Sequence, residues 1–157
     1  MILEYDKMPL IQPQPIPTRG KSIFRAIWIW MMHSRKWLVA EDWDFTINGE
    51  NFVIPKDFIF DGASIPRIFW VLLNPIGLLL IPGLIHDYAY MFSKLKFKTG
   101  EDGPKMTQSE CDMTFREVAI AVNGFRFINW FAWFMLFVFG GFAYRKHRRH
   151  SKGNGGP

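Results

Sequence analysis

Cysteine is almost missing: Cys111 is the single thiol in 157 residues. One thiol cannot close an intramolecular disulfide, and it cannot build a zinc site on cysteine ligands. The chain must therefore hold itself by packing, which suits a reducing compartment. Three catalytic signatures are also missing: the Gly-x-Ser-x-Gly elbow, the glycine-rich phosphate loop and the His-Glu-x-x-His helix. Their absence excludes serine hydrolysis of that type, nucleotide hydrolysis and zinc peptidase chemistry in their usual forms. Residues 145–157 contain no acid, yet they hold Arg145, Lys146, Arg148, Arg149 and Lys152. Setting those five aside from the 19 Lys+Arg leaves 14, against 14 Asp+Glu, so the net charge of +5 describes a tail. A domain that reads DNA sequence carries its charge on a folded face, so no sequence-specific nucleic acid partner is expected. Nonspecific contacts with anionic groups remain open to residues 145–152. The N-terminus holds Glu4, Asp6 and Lys7 and lacks an early apolar core, so no signal peptide is expected.

What is present is apolar. Hydrophobic residues make up 49% and aromatics 17%, with 16 Phe and 7 Trp. That is ample surface for a packed core, and the length suits one domain. Residues 1–20, with four prolines between Pro9 and Pro17, read as an extended Pro-rich arm. Residues 21–144 read as one compact domain and 145–157 as a disordered basic tail. Residues 22–40 allow a helix, or a strand by their alternation. Residues 42–47 alternate ahead of Asn48-Gly49 and Phe52-Val53-Ile54, which predicts a hairpin, because Asn-Gly tolerates positive φ at both turn positions. A helix is expected from near Gly83, carrying His86-Asp87-Tyr88-Ala89-Tyr90. Thr107 and Glu110 form a capping-box pattern that opens a second helix through Val122, closed by Asn123-Gly124.

Two runs lack charge over 18 residues: Ile68 to Ile85 and Phe127 to Tyr144. As a helix the second would reach about 27 Å, close to the roughly 30 Å hydrocarbon core of a bilayer. Trp130, Trp133 and Tyr144 would suit its interfaces, with the basic tail on the cytoplasmic side. Asn129, Gly140 and Gly141 interrupt it, and Pro75, Gly77 and Pro82 break the first run. The reading therefore favours core or protein-interface packing for 127–144, with interfacial membrane contact and a full span as the alternatives.

Three clusters carry candidate chemistry: Asp61-Gly62-Ala63-Ser64, His86-Asp87-x-x-Tyr90 and Asp112. On a helix, positions 86 and 90 share a face, while 87 points about 100° away. Asp112 lies well inside the capped helix, where aspartate has poor propensity and needs a reason. A hydrogen bond donated by His86 to Asp112 would fix the imidazole tautomer and make its free nitrogen a general base. Asp87 is placed to hold a hard cation together with backbone carbonyls of the Asp61-Gly62 loop. Structural readings stand beside these. The His-Asp-Tyr cluster also fits a buried knot, Asp61 an Asx turn, and Cys111 a small buried hydrophobe.

The run Val53-Ile54-Pro55-Lys56-Asp57-Phe58-Ile59-Phe60-Asp61-Gly62-Ala63-Ser64-Ile65-Pro66-Arg67, followed by His86-Asp87-Tyr88-Ala89-Tyr90, resembles a phage and prophage family of unknown function. That resemblance covers roughly residues 43–143 and implies a phage or prophage source. A second resemblance, to secreted and bacterial phospholipases A2, rests on His86, Asp87, Tyr90, the pair Cys111-Asp112 and the Asp61-Gly62-Ala63-Ser64 loop. It implies His86 as the water-activating base, Asp112 as its orienter and Tyr90 as support for Asp112. It also implies Asp87, Asp61 and Gly62 as ligands of calcium. The stapling cysteines of those enzymes are missing here, and Ala63 stands where their loop has cysteine.

The expected fold is α+β and mainly helical: an N-terminal β-hairpin, an antiparallel helix pair and an aromatic C-terminal helix. The leading functional expectation is a small phage-encoded ester hydrolase using the His86–Asp112 dyad and a divalent cation. The alternatives are a non-catalytic virion, tail or accessory protein, and a membrane-associated phage protein acting on the host envelope. Expected partners are membrane lipid or other phage structural proteins. The expected location is the virion, or the infected cell's cytoplasm or inner membrane surface.

Overall fold

The computed structural model describes residues 1–15, 20–32, 36–60, 77 and 79–137. In chain order these form β1 (Leu3–Glu4), β2 (Ile11–Pro13), α1 (Ile23–Met32), β3 (Trp37–Val39), β4 (Trp43–Ile47), β5 (Glu50–Ile54) and β6 (Ile59–Phe60). Then follow α2 (Leu80–Phe92), α3 (Gln108–Asn123) and α4, which begins at 126 and is described to 137.

The turn at Asn48-Gly49 dictates the centre of the fold. Both residues take positive φ, 50° and 87°, and the chain doubles back to pair β4 with β5 in register Phe45↔Phe52 and Trp43↔Ile54. Alternation then sends Trp43, Phe45, Ile47, Phe52 and Ile54 inward, while Asp44 faces out to Lys98 at 2.8 Å. Trp43, Phe45, Phe52 and Phe97 stack in sequence along this face. The hairpin is not alone. Leu3 and Glu4 add β1 to its β4 edge, and residues 96–98 bond along β5 through Val53 N–H to Lys96 O and Lys98 N–H to Asn51 O.

A second sheet has the order β2-β3-β6, all antiparallel. It corrects the mainly helical expectation: two three-stranded antiparallel sheets form, and the N-terminal segments supply strands to both. The physical reason is that strand pairs here join distant segments. Leu3 pairs with Ile47, and Ile11 with Val39, so no local period announces them. Pro13 sits on an outer strand, where a missing N–H costs no ladder bond. Trp43 anchors the N-terminal segment further by donating its indole N–H to Lys7 O at 2.8 Å.

The helix that is apolar on most faces is α2, because it lies between the sheet residues and α3. Leu80 to Ile85 are all buried, as is Ala89. α3 opens with the capping box. Thr107 Oγ1 accepts from Glu110 N–H, and the Glu110 carboxylate accepts from Thr107 N–H at 2.6 Å. Gly124 closes it at φ 71°. Met106 N–H donates to Ser93 O at 2.7 Å, so α3 starts beside the point where α2 ends and the two run antiparallel. α4 turns back on a pair of amides. Asn129 Nδ2 donates to Asn123 Oδ1 at 2.7 Å, Asn123 Nδ2 donates to Asn129 Oδ1 at 3.2 Å, and Asn129 is fully buried. Ala132 and Leu136 of α4 then pack with Leu79, Phe115 and Ala119.

Candidate functional site

The antiparallel pairing of α2 and α3 sets His86 against Asp112. Nε2 of the imidazole lies 2.9 Å from Asp112 Oδ1, and both residues are buried, at 4% and 2% exposure. The neighbouring Asp87 turns toward the other nitrogen, its Oδ1 3.4 Å from His86 Nδ1. One turn along, Tyr90 stacks its ring on the imidazole, with centroids 4.9 Å apart and planes at 29°. Phe115, one turn after Asp112 on α3, meets the ring edge-on at 5.7 Å. The imidazole thus sits between two rings and two carboxylates.

Burial works against a charge on His86, yet the hydrogen bonds to Asp112 and Asp87 outweigh it and raise the pKa from 6.5 to about 9. The two carboxylates thus favour the imidazolium form at neutral pH, which opposes a role as proton acceptor. The second oxygen of Asp112, Oδ2, is buried with no hydrogen-bond partner among the described residues. Beside it, burial pushes the Cys111 thiol up to about 12, with the charges of Asp112 and Glu110 adding to the shift. Cys111 is thus a buried, protonated thiol within the core.

Of the sequence-derived site residues, His86, Asp112, Tyr90 and Asp87 come together. Asp61 and Gly62 lie outside the described residues, as does the tail from 138 onward. Calcium takes six to eight oxygen ligands. Among the described residues no three metal-ligating side chains converge, and Asp87, the described member of the expected calcium set, faces the His86 imidazole. An open groove of about 490 Å³ lies elsewhere, lined by Lys36, Lys56, Phe58, Tyr88 and Phe92, and His86 is not part of it.

Two participants escaped the sequence reading. Phe115 walls the imidazole, and its spacing of three from Asp112 was the available signal. Asn129, read there as an interruption of an apolar run, is the residue that fastens α4 to the end of α3.

No helix among the described residues is long and apolar enough to cross a membrane. No curated protein and no solved structure matches the chain. A family model described as "Protein of unknown function (DUF1353)" matches residues 37–136, a stretch that contains the hairpin, α2, α3 and the His86–Asp112 pair. The chain belongs to the DUF1353 family.

Proposed function

We propose that this protein is a non-catalytic accessory or virion component of phage or prophage origin, in which His86, Asp87 and Asp112 form an internal clamp. One observation carries this reading: both imidazole nitrogens face carboxylates, at 2.9 and 3.4 Å, in a site only 4% exposed. A general base needs a neutral ring with one nitrogen open to water. Here the two carboxylates raise the pKa and favour the charged ring, and Tyr90 and Phe115 cover it. The clamp ties α2 to α3 in the way a buried, hydrogen-bonded charge fixes one arrangement of a core. Phage origin rests on the resemblance of the Asp61-to-Arg67 and His86-to-Tyr90 motifs.

A second reading is favoured by the same 2.9 Å contact. It supplies the orienting half of a phospholipase-A2-like dyad, with His86 as base and Asp112 as orienter. A lipid-ester hydrolysis assay, run with and without calcium on wild type and His86→Ala, separates the two. The clamp reading expects no turnover above background in either protein. Turnover that disappears with His86→Ala overturns it in favour of the hydrolase.

A further inference from the structure

We infer that this protein docks on anionic membrane surfaces through the exposed aromatic faces of α4 and α1. This inference uses different residues from the His86 clamp and stands whichever way the hydrolysis test falls.

The described part of α4 has two faces. Asn129, Ala132, Met135 and Leu136 point into the core. Phe127, Trp130, Phe134 and Phe137, spaced by three, four and three, form one exposed stripe, with Phe127 at 79% exposure. Trp130 and Phe134 stack on each other along it, with centroids 5.9 Å apart. α1 repeats the composition: Ile23, Phe24, Ile27 and Trp28 are exposed, Phe24 at 87%. A folded chain that leaves a continuous aromatic stripe in water has a partner for it.

The charge pattern identifies the partner. Apart from Glu4 and Asp6, every acidic residue lies between Glu41 and Glu117. Residues 8–40, which contain α1, carry five Lys+Arg and no acid. Residues 118–157, which contain α4, carry six Lys+Arg and no acid. Both exposed aromatic helices therefore sit within acid-free, basic stretches, although acids are plentiful in the segment between them. On the described residues, exposed Lys21 and Arg25 neighbour the α1 rings and exposed Arg126 neighbours Phe127, a pairing of rings with cations that fits the headgroup layer of an anionic bilayer.

Vesicle flotation with the full chain tests this. The chain should float with vesicles of phosphatidylcholine mixed with phosphatidylglycerol, should stay below with phosphatidylcholine alone, and should release in high salt. The double substitution Phe127→Gln/Phe134→Gln removes two water-exposed rings, so folding is kept, which circular dichroism checks. It should lower partitioning by on the order of tenfold or more. Changing Lys21, Arg25 and Arg126 to Gln should weaken the preference for anionic lipid. Equal flotation of the ring variant and wild type, or equal flotation with both vesicle types, overturns the inference. So does lipid-free self-association that the ring variant abolishes, which would give the stripe to a second copy of the chain.

Discussion

His86 and Asp112, twenty-six residues apart in sequence, meet at 2.9 Å beneath the surface, each on a different helix of one antiparallel pair. The contact is a buried charge pair, and removing one half leaves the other in a medium that cannot solvate it. His86→Ala should therefore cost about 3–5 kcal/mol in urea unfolding. The double change His86→Leu/Asp112→Leu should recover a large part of that loss, because it removes the Asp112 charge that the single change leaves buried. A double variant as unstable as the single one would show that the pair has no such coupling.

The raised pKa of His86 gives stability a defined pH course. The folded state holds its proton up to about 9, whereas the unfolded chain releases it near 6.5. The contribution is complete below 6.5 and fades as pH climbs toward 9. Urea midpoints of the wild type should fall across that window, and those of His86→Leu/Asp112→Leu should lack this component. A nitrogen chemical shift of an imidazolium for His86 at pH 8 is the direct check.

Asn129 carries the junction of α3 and α4 on a reciprocal amide pair. Asn129→Ala leaves Asn123 without that partner and opens a small gap in the core. It should cost about 1–3 kcal/mol. Hydrogen exchange should quicken in α4 before it does in α2. Uniform quickening across both helices would contradict the local role.

Trp43 is fully buried and also holds Lys7 through its indole N–H. Trp43→Phe keeps most of the packing and removes that hydrogen bond, for a loss of about 1 kcal/mol plus any void it leaves. Limited proteolysis should then cut faster within the first ten residues, with the β4–β5 hairpin unaffected.

The parts of this molecule written in local chemistry were readable in advance. Asn48-Gly49 states its turn, Thr107 and Glu110 state a helix start, and the spacing of His86 and Asp112 on two helices makes their meeting natural. The sheets were not readable in the same way. Trp37–Val39 is three residues long and lies in a stretch whose pattern fitted a helix as well, and its partners are Ile11–Pro13 and Ile59–Phe60. Pairing of that kind is decided by the whole fold. At the site, residue identity foretold the cluster but not the environment. Rotation by about 100° per residue should aim Asp87 away from the imidazole, yet its side chain bends back to Nδ1. Burial under Tyr90 and Phe115 likewise emerges only once the helices have packed.

The buried thiol of Cys111 has a practical consequence. With its pKa near 12 and its sulfur in the core, it is inert toward alkylating reagents while α2 and α3 stay together. It is also the only sulfhydryl on the chain. Covalent labelling with iodoacetamide would then proceed at the frequency with which the two helices part, giving the protein an intrinsic clock for its own breathing.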